Sequence, residues 1–231
     1  MDNKQGEWDK SYQNLDNFVF YPHEEVIRFV SKYISKRTGL DEKKDVVSGP
    51  EKARILDLGC GIGRHVIYGH EMGLDSYGID LSGAAIQVAT EWANRKGMSE
   101  SSRKILQGDI RQLPWDDGYF NFAVSHGVLD SMPFEFAQVA CVELAKKMAK
   151  GGLFYCDLIS GDDSRHSREY NGEEEVATNH EHGTIQLYFN LSKIYSMIDG
   201  VFKIVECILI RREEVLRGGY ASRYHLILEK V

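Results

Sequence analysis

Ile55-Leu56-Asp57-Leu58-Gly59-Cys60-Gly61-Ile62-Gly63-Arg64-His65 decides how this chain folds. The run Ala53–Leu58 is short and mostly apolar, which suits a buried strand. It breaks into three glycines at alternate positions, and a helix is expected from near Arg64 to Met72-Gly73. Glycines there allow a tight turn and a close backbone approach to a ligand.

The same rhythm continues downstream. Asp75–Asp80 is predicted as a second strand, and Ser82 as the cap of a helix whose apolar face is Ala85, Val88, Ala89, Trp92 and Ala93. Lys104–Asp109 and Tyr119–Ser125 follow as strands three and four. A helix through Ala137, Ala140, Cys141, Leu144, Ala145 and Met148 is expected to close at Gly151-Gly152, with Leu153–Leu158 as strand five. Strands alternating with helices imply βαβ units, a parallel sheet and right-handed crossovers. The tail breaks the pattern: Val201–Ile210 and Tyr220–Leu228 read as an antiparallel hairpin, with Cys207 in the core. Between strand five and the tail, Ser160–Thr184 is a polar stretch longer than an ordinary connection, and such loops are often functional.

Upstream, Pro22 precedes Val26, Phe29, Val30, Tyr33 and Ile34 at helical spacing, while 36–52 reads as a polar connection. The expectation is one domain over 1–231: a helical cap or lid in 1–50 and a Rossmann-like core in 51–231.

Asp80 ends the second strand, 21 residues after Gly59, and Asp109 ends the third. Three strand ends therefore set a glycine turn and two acids along one crevice, where a carboxylate can accept ribose hydroxyls. A nicotinamide-dinucleotide fingerprint needs G-x-G-x-x-G, but the sixth position from Gly59 is Arg64. No G-K-[ST] follows the glycines, so a P-loop is ruled out.

At these residues the chain resembles the class I S-adenosylmethionine-dependent methyltransferases, of the type 11/25 kind. Ile55–His65 is similar to their first motif, Tyr77–Ser82 to the second, Gly108–Trp115 to the third, Phe120–Asp130 to the fourth and Leu144–Leu158 to the fifth. The resemblance implies an α/β fold with a seven-stranded, mostly parallel sheet, an antiparallel C-terminal hairpin and an N-terminal helical cap. It implies S-adenosyl-L-methionine as cofactor. Gly59, Gly61 and Gly63 would pass its amino-acid portion, with Asp57 helping to hold the ammonium. Asp80 would take the ribose hydroxyls and Leu81 pack on the adenine. Asp109 would accept from the adenine amino group, with the Ile110 amide on a ring nitrogen. Ser125 would lie beside the methionine part, with His126 next to it. In related enzymes an aromatic-rich start folds over the cofactor; here that start is Trp8, Tyr12, Phe18, Phe20 and Tyr21, with Tyr12 assigned to the cofactor.

The acceptor would then approach over strands four and five, where His126 and the Ser160–Gln186 excursion emerge. A neutral imidazole suits proton removal from a hydroxyl or ammonium, so His126, His180 and His182 are the catalytic candidates. His166, among charged neighbours, reads as solvated, as does the Glu173–Glu175 run. His65 reads as an exposed or capping residue. No metal is expected, because His180 and His182 lack convergent partners.

The 231 residues carry 28 Lys and Arg against 35 Asp and Glu, a net charge of −7, which disfavours a nucleic-acid partner. The Asn-Pro-Pro-aromatic motif of base N-methylation and a Pro-Cys nucleophile are absent. A small-molecule acceptor is therefore the first reading; the alternatives are a tRNA or protein methyltransferase and a non-catalytic cofactor-binding subunit. The four cysteines form no C-x-x-C pair, and scattered thiols suit a reducing compartment. The charged start has no apolar signal region and no apolar run is long enough to span a bilayer, so a cytoplasmic protein without membrane contact is expected.

Overall fold

A computed structural model describes residues 4–15, 17–47, 52–162, 172–178 and 181–231. In chain order the elements are α1 (Gln5–Gln13), α2 (Glu24–Tyr33), β1 (Ser35–Arg37), β2 (Lys43–Asp45), β3 (Arg54–Leu58), α3 (Arg64–Glu71), β4 (Asp75–Asp80), α4 (Gly83–Arg95), α5 (Ser101–Lys104) and β5 (Ile105–Gln107). They continue with β6 (Phe120–Ser125), α6 (Phe134–Lys147), β7 (Met148–Ile159), β8 (Glu173–Glu175), β9 (Ile185–Leu187), α7 (Leu191–Ile198), β10 (Phe202–Glu213) and β11 (Tyr220–Lys230).

Seven strands form the main sheet in the order β10-β11-β7-β6-β3-β4-β5. The five from β7 to β5 run parallel, and β11 and β10 are antiparallel. The order reverses between β3 and β6, so their carboxyl ends open a crevice there. This is the Rossmann-like architecture expected from the motifs.

Both faces are covered. Leu56, Ala123, Phe154 and Leu226 pack on one side with Leu144 and Ala145 of α6 and Ile194 of α7. On the other side Phe29 and Val30 of α2 meet Ile55, Phe122 and Tyr155. Val26, Phe29 and Val30 are buried because they share one helical stripe, and the His23 ring caps that helix by accepting the Glu25 N–H at 3.2 Å.

Several details depart from the sequence reading. The supposed connection 36–52 contains the β1–β2 hairpin, whose strand residues past Ser35 are exposed. Helix α6 passes directly into β7, so Gly151 and Gly152 lie inside that strand, at a register shift against β6. Gly151 has φ +73°, and a Cβ on Gly152 would come within 2.8 Å of the Asn121 carbonyl oxygen. The glycines make a bulge rather than a helix stop. Cys207 is exposed, on the edge strand β10 of the sheet. Helix α7 was not foreseen, although Asn190 caps it by accepting the Lys193 N–H.

Candidate active site

A cavity of about 290 Å³ lies beyond the carboxyl ends of β3, β4 and β6, with α1 as its roof. One wall is the glycine turn. Gly59, Gly61 and Gly63 have φ of +67°, +52° and +89°, and the Gly59 and Cys60 amides both donate to the Ile79 carbonyl. A Cβ on Gly59 would stand 2.4 Å from a Val128 methyl, and one on Gly61 would stand 2.5 Å from the Tyr12 hydroxyl. Glycine is required at both positions by conformation and by space.

Gly59, Gly61, Asp80, Leu81, Asp109, Ile110, His126 and Tyr12 all line the cavity; Asp57, Gly63 and Ser125 lie behind the wall. Asp80 bridges two backbone segments: one oxygen accepts the Gly61 N–H at 2.7 Å, the other the Ser82 N–H at 2.9 Å. Burial pushes its carboxyl up to about 6, against the pull of those two donors. Asp109 is held in a fork by Arg111, with Nε 2.9 Å from Oδ1. Among the described residues, neither oxygen of buried Asp57 nor Ser125 Oγ has a hydrogen-bond partner. Such groups are rare in a folded protein and mark a place for an incoming donor or acceptor.

His126 marks the other half of the cavity, beside Val128, Ser131, Met132 and Phe136. Arg64 Nη2 is 3.0 Å from His126 Nδ1. An arginine can only donate, so Nδ1 accepts and the imidazole proton sits on Nε2. That Nε2 faces Asp157 Oδ2 at 3.6 Å. His126 belongs to a cluster from four parts of the chain. The His23 ring lies 4.0 Å from it, His225 stacks on His23 at 5.8 Å, and the His65 ring is 5.8 Å from His126. The His23 N–H donates to His65 Nε2, leaving the His65 proton on Nδ1, 3.5 Å from Asp57 Oδ2. Burial, helped by the neighbouring imidazoles and Arg64, lowers His126 to about 3 and His23 to about 4. Both rings are neutral at pH 7.

Behind the ring, Asp157 accepts the Gly127 N–H at 2.7 Å and pairs with Arg223 Nε at 2.7 Å. Burial pushes Asp157 up, but Arg223, His126 and the Gly127 amide outweigh it and hold the carboxyl well below its ordinary range. The second arm of Arg223 meets buried Asp130.

Among the other candidates, His182 is exposed in the turn before β9, away from the cavity wall. His180 and His166 lie outside the described residues. Glu181 does reach the wall and accepts from Asn17 Nδ2 at 3.1 Å. His65 is 6% exposed, which corrects its reading as a surface residue: helix α3 turns it inward against Asp57. Trp8 and Tyr12 of the aromatic start face the cavity, while Phe20 packs edge-on against Trp92 at 5.0 Å. Among the described residues no three His, Cys, Asp or Glu side chains converge on a metal site, and no helix is long and apolar enough to cross a membrane. Sequence reasoning missed His23, Asp157, Arg223 and His225. The one usable signal was an acid, Asp157, inside the apolar run of strand five.

Residues 56–156 match a family profile described as a methyltransferase domain. A Bacillus subtilis protein, YqeM, whose name places it among methyltransferases, is 40% identical over 75 residues, 32% of this chain and 29% of its own length. The 2-heptyl-1-hydroxyquinolin-4(1H)-one methyltransferase of Mycobacteroides abscessus is 27% identical over 111 residues, 48% of each chain. The match therefore spans less than half the length of either curated relative. Among solved structures, the 1,6-didemethyltoxoflavin-N1-methyltransferase of Burkholderia thailandensis, with its acceptor and S-adenosylhomocysteine bound, superposes with a TM-score of 0.68. The overlap covers 98% of this chain and 87% of that one at 14% identity, and it concerns the fold.

Proposed function

We propose that the chain is a class I S-adenosylmethionine-dependent methyltransferase and that it transfers the methyl group of S-adenosyl-L-methionine to a small-molecule acceptor seated against His126. The observation that carries this reading is the continuity of the cavity: the glycine turn, Asp80 and Asp109 share it with His126 and an apolar wall. The donor set suits the cofactor. Asp57 offers two unpartnered oxygens to an ammonium. Asp80 has lone pairs left beyond its two backbone donors for ribose hydroxyls. Leu81 and Ile110 give the adenine apolar surface, and the Cβ-free turn admits the amino-acid portion. When bound, the cofactor supplies an electrophilic methyl carbon on a sulfonium.

The chain's own contribution is alignment, exclusion of water and, for an acceptor that must lose a proton, a base. His126 is neutral, lines the acceptor half and has an anionic carboxylate behind its Nε2–H, as a base requires. His182 and His180 keep a lesser place in the proposal, at the edge of the excursion. The heteroaromatic acceptors in the two relatives' names, and the flat apolar wall of Val128, Met132 and Phe136, favour a small planar acceptor over RNA or protein. We place all 231 residues in this one working unit, with 1–50 as its cap, and assign it to the cytoplasm.

Thermal unfolding with S-adenosylmethionine, S-adenosylhomocysteine and NAD tests the cofactor half. At 100 times Kd the first two should stabilise by about 2.7 kcal/mol. A shift with NAD alone overturns the assignment. Release of S-adenosylhomocysteine in the presence of hydroxy- and amino-heteroaromatics tests the acceptor half. Tight cofactor binding with no turnover on any small molecule, but turnover on tRNA or protein, would move the acceptor class.

A further inference from the structure

Arg64 stands at the junction of the two halves of the cavity, in the first turn of α3. Its guanidinium makes one hydrogen bond among the described residues, and the partner is a neutral imidazole, His126 Nδ1. Among the described residues no carboxylate pairs with it, although Asp57 and Asp157 both lie close enough to act on its charge. A guanidinium in a cavity gains more from a charge-assisted fork onto a carboxylate than from a single bond to imidazole. Nearby, buried Asp57 has no hydrogen-bond donor on either oxygen among the described residues, its nearest partner being the His65 ring at 3.5 Å. A guanidinium without a carboxylate partner and a carboxylate without an ammonium or guanidinium partner among the described residues, both beside one glycine turn, are complementary to a zwitterionic α-amino acid group.

We propose that Arg64 is a latch on the base: with no ligand bound it occupies His126 Nδ1, and the carboxylate of the cofactor's amino-acid end draws it away and frees that nitrogen. The inference rests on the methyltransferase reading above and adds its regulation. While Arg64 donates to Nδ1, the lone pair that would take a proton is in use. Nε2 cannot substitute, because it carries the ring proton and faces Asp157. Once Nδ1 is free, the acceptor's O–H or N–H bond breaks, its proton moves to Nδ1, and the bonding pair stays on the acceptor heteroatom. The imidazolium then lies against Asp157. Arg64 is thus a positioning residue, and the acceptor is not activated until the methyl donor is in place.

The other titratable groups around His126 are fixed by the fold. His65 lies on α3, His23 precedes α2, and Asp157 of β7 is tied to Arg223 of β11. Arg64 is the one among them held by His126 alone.

Imidazole ¹⁵N NMR of the full chain tests this, with His126 assigned from a His126→Gln variant and S-adenosylhomocysteine as the probe. Saturation should move the Nδ1 resonance and raise the apparent pKa of His126 by about one unit, a tenfold gain in proton affinity. In Arg64→Gln the ligand-free ring should already show the raised value, the response to the probe should vanish, and calorimetric affinity for the probe should fall about tenfold or more. Arg64→Lys should restore part of the affinity but not the fork. If the probe binds the wild type and His126 responds neither in shift nor in titration, the latch is overturned while the methyltransferase reading stands. If the probe does not bind at all, both fall. The wild-type comparison decides even if a variant fails to fold.

Discussion

Asp80 joins two tasks that a mutation separates. It pins Gly61 and Ser82 through their amides, and in the proposed function it is the acid offered to a ribose. Asp80→Ala removes a charged acceptor, so affinity for S-adenosylhomocysteine should fall ten- to a hundredfold, at roughly 1.5–3 kcal/mol per charged hydrogen bond. Titration calorimetry on the folded variant is the check, and unchanged affinity would assign the ribose elsewhere. The histidines give a pH signature. His126 and His23, at about 3 and about 4, lie below their unfolded value of 6.5. Unfolding therefore takes up protons in that window, and their contribution is complete above 6.5 and lost progressively as pH falls towards 4. Asp80 acts oppositely: raised to about 6, its stabilisation is complete below 3.8 and lost as pH rises through 6. Comparing wild type with His23→Gln/His126→Gln isolates the first effect. Urea midpoints between pH 7 and 5 should fall less in the double variant, by a slope of up to two protons. Parallel curves would mean that the rings titrate normally. That Gly59, Asp80 and Asp109 share one crevice was legible because each belongs to a local motif at a strand end. His23, Asp157, Arg223 and His225 were not, because only the folded sheet brings their segments together.

Two of the contacts that hold helix α1 lie on the site it roofs. Asp9 accepts from Ser82 Oγ at 2.6 Å, and the Tyr12 hydroxyl stands over Gly61. Ser82 in turn caps α4 by accepting the Ala85 N–H at 3.2 Å. Ser82→Ala should cost about 1 kcal/mol of stability through the lost cap, measured by chemical denaturation, and loosen α1 as well. Deleting residues 1–21 should leave the core folded, since α1 contributes little to the large apolar clusters, but weaken retention of S-adenosylhomocysteine. Wild-type kcat/KM after that deletion would reduce the segment to a cover without function. The aromatic content of this segment was legible as a cap. The bulge at Gly151-Gly152 was not, because a glycine pair reads equally as a helix stop or a strand irregularity until its partner strand is known.

At the scale of the whole molecule, one side chain ties the C-terminal strand pair to the site. Arg223 on β11 bridges Asp157 on β7 and Asp130 beyond β6, two carboxylates that are 1% exposed. Arg223→Met would leave both buried without their counter-charge. The expected loss is about 3 kcal/mol, seen as a lower urea midpoint with unchanged slope. A neutral result would show that the pair is solvated or protonated. The parallel part of the sheet was legible because its strands alternate with helices, and the antiparallel tail from its hairpin pattern together with the family resemblance; the order of the strands was not. What the chain hides at this scale is that its last strand braces the pocket opened by its third.

The roof described by α1 is covalently attached. About ten residues separate its end at Gln13 from the first turn of α2, which is packed in the core. A helix on so short a tether is present over the cavity at roughly millimolar effective concentration, so closing needs no diffusional search. Lifting it becomes the slow event. Tyr12 and Asp9 would then help set the residence time of whatever lies beneath, and the spent cofactor would leave only as often as the contacts of α1 break together.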